Sequence, residues 1–175
     1  LAAKKSGANS VKFQYYKTED FISNKKINFR IKKKGKSHFI NQYNLFKKNE
    51  LTFKKLVTLK EFSDKNNIHF HATPTNPRGI DELIDIGVDV IKNGSDFLTH
   101  IDVLKKIAST KIPAVISTGM SLEKEIKFAL SFFKEYKKNN ILLLHCVSNY
   151  PTKIKDVNIN RLITLKKKIQ NTYWI

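Results

Sequence analysis

The chain has 175 residues, of which 41% are hydrophobic and 27% charged, a composition typical of a single globular domain. No run of about 18 apolar residues occurs, so no membrane-spanning helix is predicted. The first eight residues also lack the apolar core of a signal peptide. The single cysteine, Cys146, rules out an internal disulfide and fits a reducing compartment. These features favour a cytoplasmic protein with no membrane partner.

The net charge of +18 invites a nucleic-acid-binding interpretation, because basic surfaces neutralise phosphates. Only three of the 33 basic residues are arginine, the side chain best suited to paired hydrogen bonds with bases and phosphates. The lysines are scattered along the chain, and the densest run, residues 30–36, is predicted to be a solvated loop. Nucleic-acid binding is therefore kept only as an alternative function.

Short apolar runs alternate with helical patterns along the chain. The predicted strands cover residues 9–14, 68–74, 88–93, 113–119, 140–148 and 171–175. The predicted helices lie around residues 51–62, from Pro77 to the residues before Gly87, around Ile101 to Ala108, after Ser121, and around residues 162–169. Asn76 is expected to cap the second of these helices and Ser121 the fourth.

Repeated βα units imply a parallel sheet with right-handed crossovers. A complete (β/α)8 barrel needs about 250 residues, and only six strands are predicted here. The chain also opens in a helical pattern and stops within an apolar strand. We therefore expect an α/β fold, an incomplete TIM-type (β/α)8 barrel with about six of its eight strands, forming one partial domain over residues 1–175.

Polar residues stand at the ends of the predicted strands, where the active site of a βα barrel lies. They are Lys12, Gln14, Thr73, Lys92, Ser95, Ser117, Thr118, Gly119, Ser148, Asn149 and Tyr150, with Asp96 as the one carboxylate. Ammonium groups, hydroxyls and amides suit a small, highly charged anion. Lys92 follows a strongly apolar strand, and a buried ammonium is costly unless an anion meets it.

Two other groups of residues have simpler interpretations. His69 and His71 share a strand face and could bind a metal, but no third ligand is evident, so a structural role is favoured. His145 and Cys146 are neighbours on a strand and point to opposite faces, which excludes a thiol–imidazole pair. Cys146 is expected to pack in the core.

Five motifs occur together in a specific order: "GANSVKFQ", "HATP", "IKNGSDFLTH", "PAVISTGMS" and "LLLHCVSNYPT". Over nearly the whole chain they resemble the N-acetylneuraminate (sialic acid) synthase family, which includes legionaminic and pseudaminic acid synthases. The resemblance implies a transferase that condenses phosphoenolpyruvate with an open-chain N-acetylated amino sugar and releases phosphate. It also implies a divalent metal, manganese or magnesium, and a barrel followed by a small antifreeze-protein-like domain.

The resemblance assigns expected roles to individual residues. Its phosphoenolpyruvate-binding positions correspond to Lys12, Thr73, Lys92, Ser95, Ser117 and Ser148, and its sugar-binding positions to Gln14 and Tyr150. Three residues depart from the family pattern. Asn93 replaces an aliphatic residue, Thr75 a frequent phenylalanine, and Phe97 stands where relatives commonly have an acidic residue.

The resemblance places the catalytic glutamate before Leu1. It places the metal-binding histidines and the antifreeze-like domain, which gives an arginine to the partner subunit's site, after Ile175. We therefore expect no catalytic residue and no metal ligand in residues 1–175, inactivity of the segment alone, and a homodimer at full length. The alternatives are another phosphoenolpyruvate-dependent sugar-acid synthase, a non-catalytic truncated fragment, or a basic nucleic-acid-binding module.

Overall fold

The computed structural model describes residues 1–33, 36–169 and 173–174. Its strands are β1 (Ser10–Tyr15), β2 (Asn28–Lys33), β3 (Lys36–Asn41), β4 (His69–Pro74), β5 (Val90–Asn93), β6 (Ala114–Ser117), β7 (Ile141–Leu144) and β8 (Tyr173–Trp174). Its helices are α1 (Ala2–Lys5), α2 (Thr18–Phe21), α3 (Gln42–Asn49), α4 (Phe53–Lys65), α5 (Pro77–Asp85), α6 (Ile101–Ser109), α7 (Glu123–Glu135) and α8 (Asn160–Lys168).

Six of the strands form one parallel sheet in the order β1-β4-β5-β6-β7-β8. Consecutive strands of this sheet are neighbours, and helices connect them, which is the arrangement of a (β/α)8 barrel. The predicted incomplete barrel is confirmed. The six strands also fall where the apolar runs predicted them, with ends that differ by a few residues.

Helix α5 shows how local sequence sets an element boundary. The Asn76 side chain accepts a hydrogen bond from Gly79 N at 2.7 Å, and Pro77 occupies the first turn, where no backbone donor is needed. Gly87 follows the helix with φ of +69°, a conformation that glycine adopts without strain. This helix is as predicted, and its first turn lies at the carboxyl end of β4.

Helix α7 begins differently from the prediction. Ser121 does not cap it, because the Ser121 hydroxyl donates to Gly119 O at 3.0 Å. The helix starts after Leu122, whose backbone N–H donates to the Glu125 carboxylate at 2.7 Å. A glutamate in the first turn thus satisfies the free N–H and also complements the helix dipole.

Residues 30–36 are not the predicted solvated loop. Strands β2 and β3 form an antiparallel hairpin that pairs Asn28 with Asn41 and Lys33 with Lys36. Phe29 and Ile31 alternate with polar residues along β2, and this period of two is a strand signal that the dense lysine run hid. Lys34 and Gly35 lie outside the described residues.

The core lies between one face of the sheet and the surrounding helices. Fully buried side chains of the sheet, such as Phe70, Ile91, Ile116 and Leu143, meet Leu56, Leu83, Leu104 and Phe133 of the helices. Alternate strand residues, among them Lys12, His71, Lys92 and Val115, face the other side and are less buried. Polar groups for a site are therefore presented on the face away from the core. Within the described part of the chain, no helix is long and apolar enough to cross a membrane.

Candidate functional site

Lys92 and Ser117 contact each other at the carboxyl ends of two adjacent strands. Lys92 Nζ donates a hydrogen bond to Ser117 Oγ at 2.6 Å. The register of β5 and β6 pairs Lys92 with Val115, so Ser117 lies two residues further along on the same face. Ser117 is only 1% exposed, and Lys92 is half-buried. The sequence-predicted pair is thus brought together at the edge where a barrel binds its ligand.

The surroundings of Lys92 disfavour its charged form. Burial lowers the pKa of Lys92 below its ordinary value, and the ammonium of Lys12 lowers it further. Cys146 and Asp96 oppose this shift of the pKa, but burial has the largest effect. Lys12 comes from β1, two strands away from β5, and faces the same side of the sheet as Lys92. An anion bound on this face would stabilise both ammonium groups.

A second group of residues converges from the loops that follow β5, β6 and β7. Gly119 N donates to Ser95 Oγ at 3.0 Å. A methyl group placed on Gly119 would lie 2.7 Å from Ser148 Oγ and 3.3 Å from Cys146 Cβ. Ser95, Gly119 and Ser148 therefore surround one point, with Cys146 beside them.

The sequence predicted that Cys146 packs in the core, and this prediction is wrong. Cys146 is partly exposed and belongs to the same cluster as Gly119 and Ser148. Its position two residues before Ser148 was a usable signal, because alternate residues of an extended segment face the same side. Gly119 was visible at a strand end, but its contacts with the loops after β5 and β7 depend on how the sheet curves.

Thr73 is buried beside this cluster with an unsatisfied hydroxyl. It is 4% exposed and pairs in register with Gln14 of β1. Its methyl group faces Gly94, two residues after Lys92, at van der Waals distance from the place where a side chain would begin. Among the described residues, Thr73 Oγ1 has no hydrogen-bond partner. A buried hydroxyl without a partner costs free energy, which a ligand at this position would recover.

Two of the predicted residues are less constrained. Gln14 lies on the same face of β1 as Lys12, and both side chains are exposed. Tyr150 follows β7, precedes a cis peptide bond to Pro151 and is 94% exposed. The structure therefore does not bring Tyr150 against the other predicted residues, and the role of each remains a prediction.

The two strand histidines have structural surroundings. His69 Nδ1 lies 3.3 Å from Asp89 Oδ1, and the other Asp89 oxygen accepts from Phe70 N at 2.8 Å. Burial lowers the pKa of His71, which favours its neutral form. Within the described ranges, no three His, Cys, Asp or Glu side chains are grouped so that they could hold a metal ion. The described residues therefore do not fit a divalent metal site.

A separate cavity of about 180 Å³ lies between the end of β1 and the start of α5. Its polar groups bind each other: Tyr15 donates to Glu82, Glu82 also pairs with Arg78, and Asn76 donates to Asp20. Burial raises the pKa of Tyr15, and the hydrogen bond to Glu82 raises it further. These contacts join β1 to α5, and a structural role accounts for them.

The geometry defines a class of protein. It is an incomplete βα barrel that presents two lysines and four hydroxyl side chains on the sheet face away from the core and in the loops that follow the strands, an arrangement suited to a small anion. The chain belongs to the NeuB family, whose model matches residues 1–173.

Known relatives agree with this assignment. The chain is 40% identical over 164 residues to an uncharacterised protein of Methanocaldococcus jannaschii, covering 94% of this chain and 44% of the relative. It is 35% identical over 173 residues to the N,N'-diacetyllegionaminic acid synthase of Legionella pneumophila, covering 97% of this chain and 49% of that enzyme. The chain thus spans about half the length of the curated relatives it matches.

A solved structure shows the same fold. The N-acetylneuraminic acid (sialic acid) synthetase of Leptospira borgpetersenii, crystallised in complex with citrate, superposes with a TM-score of 0.85 at 34% identity. The match covers 98% of this chain and 55% of that enzyme. The fold of this chain is therefore similar to that of the matched part of the synthetase.

Proposed function

We propose that this chain forms the phosphoenolpyruvate-binding part of a nonulosonic acid synthase. The reaction joins the methylene carbon of phosphoenolpyruvate to the carbonyl carbon of an open-chain N-acetylated amino sugar; water is consumed and phosphate is released. The observation that carries the proposal is the hydrogen bond from Lys92 to Ser117, beside Lys12 and the serine cluster.

Phosphoenolpyruvate suits this arrangement because it carries a carboxylate and a phosphate on the same carbon atom. Two lysines compensate most of its charge, and hydroxyl donors at different strand ends can bind both groups at once. In this proposal Lys12 and Lys92 hold the anion electrostatically. Thr73, Ser95, Ser117 and Ser148 donate hydrogen bonds to it.

The chain's own residues then bind and orient the substrate rather than transfer protons. A serine or threonine hydroxyl without a neighbouring base is a poor proton acceptor. The acid-base group is proposed to lie outside residues 1–175, together with the ligands of the divalent metal. Gln14 and Tyr150 are proposed to face the sugar. Because Tyr150 is exposed here, its contribution requires the remainder of the active site.

The relatives support this substrate class. One matched enzyme is named as a legionaminic acid synthase, and the matched crystal structure is named as a sialic acid synthetase bound to citrate, itself a multivalent carboxylate. Both names describe the formation of nine-carbon sugar acids. A cytoplasmic location and a homodimer of the full-length protein belong to the same proposal.

Calorimetric titration with phosphoenolpyruvate tests the proposal. We expect binding to the protein, a strong loss in Lys92→Met, and no change in Lys127→Met, which removes an exposed lysine that pairs with Glu123. A fluorescent DNA duplex titrated in parallel tests the nucleic-acid alternative. Absence of phosphoenolpyruvate binding, with DNA affinity reduced alike by both substitutions, would favour a basic nucleic-acid-binding module.

A further inference from the structure

Gly119 occupies a position where a side chain would disturb two predicted ligand-binding residues. Its backbone is buried at the end of β6. A Cβ atom there would lie 2.7 Å from Ser148 Oγ and 2.8 Å from Ser95 Oγ, both closer than non-bonded atoms approach. The absence of a side chain therefore lets two hydroxyls from different loops come together over the Gly119 backbone.

The hydrogen bond at Gly119 also holds the oxygen of one of these hydroxyls in place. Gly119 N–H donates to Ser95 Oγ at 3.0 Å, so the serine oxygen acts as acceptor on that side. A hydroxyl that accepts one hydrogen bond keeps its own proton for a different acceptor. The proton of Ser95 is therefore available to an acceptor other than the Gly119 backbone.

We propose that Gly119 is a positioning residue for the phosphoenolpyruvate site: its N–H orients Ser95, and its missing side chain allows Ser95 and Ser148 to donate to one anionic group. This inference rests on the proposed function and extends it to an uncharged residue without a side chain. Gly119 acts through the two serines, whereas Lys92 on β5 and Lys12 on β1 attract the anion by their charge.

The atoms that an alanine would meet predict a loss of binding rather than of folding. The two closest neighbours are serine hydroxyls, which can rotate to another staggered position at little cost. The third, Cys146 Cβ at 3.3 Å, has to shift by a few tenths of an ångström. Gly119→Ala should thus keep the fold but turn both hydroxyls away from the ligand.

Gly94→Ala is a matched control in the adjacent loop. Gly94 has φ of −71°, which alanine adopts readily, and a Cβ there would meet its nearest neighbours at 3.8 Å, an ordinary contact distance. The experiment measures phosphoenolpyruvate affinity by calorimetry and thermal melting for the wild type, Gly94→Ala and Gly119→Ala. The same pair of measurements is made for Ser95→Ala/Ser148→Ala with and without Gly119→Ala.

We expect Gly119→Ala to weaken phosphoenolpyruvate binding by about tenfold or more, the scale of one lost hydrogen bond to a charged group. Gly94→Ala should bind like the wild type. In the Ser95→Ala/Ser148→Ala background, Gly119→Ala should change the affinity by less than about twofold, because the hydroxyls it displaces are already gone.

Three outcomes would overturn the inference while the proposed function stands. They are wild-type affinity in Gly119→Ala, an undiminished effect in the background that lacks both hydroxyls, and unfolding of Gly119→Ala while Gly94→Ala folds. Failure of the wild type to bind phosphoenolpyruvate would instead contradict the proposed function itself.

Discussion

The ammonium of Lys92 is hydrogen-bonded to the hydroxyl of Ser117 at 2.6 Å, across two neighbouring strands of the sheet. Ser117 is neutral and almost fully buried, so the contact fixes the position of the Lys92 side chain without compensating its charge. Burial, and to a lesser extent the ammonium of Lys12, lowers the pKa of Lys92. An anion bound beside Lys92 would favour its charged form.

Substitution of Lys92 by methionine keeps most of the side-chain packing and removes the charge. We expect a loss of about 2–4 kcal/mol in kcat/KM for phosphoenolpyruvate in the complete enzyme, the cost of truncating one partner of a desolvated charge pair. The free energy of unfolding should stay constant or rise, because an uncompensated, half-buried ammonium is removed. Steady-state kinetics and denaturant unfolding measure the two effects.

The matched control for this change is Lys127→Met, which removes a lysine from an exposed pair with Glu123. Exposed ion pairs contribute little to stability, so both measurements should remain near the wild type. Unchanged kinetics together with a clear loss of stability in Lys92→Met would show that Lys92 is a structural residue.

Thr73→Val tests whether an unpartnered hydroxyl is reserved for the ligand. Valine has nearly the same shape as threonine and removes a buried oxygen that has no partner among the described residues. We expect the ligand-free protein to become more stable by about 1 kcal/mol, while phosphoenolpyruvate affinity falls by about tenfold. Denaturant unfolding and calorimetry provide the two values.

Thr118→Val is the control, because Thr118 is equally buried but its hydroxyl donates to Leu144 O at 2.9 Å. Here stability should fall by about 1 kcal/mol, since a hydrogen bond is lost, and affinity should not change. If Thr73→Val destabilised the protein like Thr118→Val and left affinity intact, Thr73 would have no role in ligand binding.

Lys138 gives the protein a pH dependence of stability away from the site. Its side chain is buried, and its ammonium donates to Thr110 O and Ile112 O at the opposite end of the sheet. Burial lowers the pKa of Lys138 to about 8. In the unfolded chain this lysine has its ordinary pKa, so between these two values the unfolded state binds more protons than the folded state.

Stability should therefore rise as the pH increases above about 8, by on the order of 1–3 kcal/mol from this group. Lys138→Met should be less stable at neutral pH, because two carbonyls lose their donor, and should lack this rise. Denaturant unfolding of both proteins from pH 7 to 10 measures the difference. Parallel pH profiles for the two proteins would show that Lys138 keeps an ordinary pKa in the folded state.

Residues 1–175 by themselves should show no synthase turnover, because the acid-base group and the metal ligands are proposed to lie elsewhere. The assay measures phosphate release from phosphoenolpyruvate with N-acetylmannosamine and manganese, against a reaction without protein. Release above that background would mean that the chemistry has been placed on the wrong residues.

The sequence predicted the sheet well because each central strand is a short, mostly apolar run. It predicted the start of α5 for a local reason as well, since Asn76 and Pro77 act within one turn. The hairpin of β2 and β3 was missed because Lys32 and Lys33 interrupt the alternation of polar and apolar residues along β2. Ser121 was taken for a cap because its hydroxyl was expected to accept, whereas it donates to Gly119 O.

The site was only partly predictable for a different reason. Thr73, Lys92 and Ser117 could be found because each lies near the carboxyl end of a recognisable strand, whereas Lys12 lies in the middle of β1. The approach of Ser95 and Ser148 over Gly119 depends on three loops and on the curvature of the sheet, which no local pattern encodes. The position of Cys146 beside them depends on the same geometry.

A crystal structure of the protein with phosphoenolpyruvate tests the central claim most directly. We expect one ligand at the carboxyl ends of the strands, with its anionic groups about 3 Å from Lys92 Nζ and from the hydroxyls of Ser95, Ser117 and Ser148. Ligand density at another surface, with Lys92 still bonded only to Ser117, would contradict it.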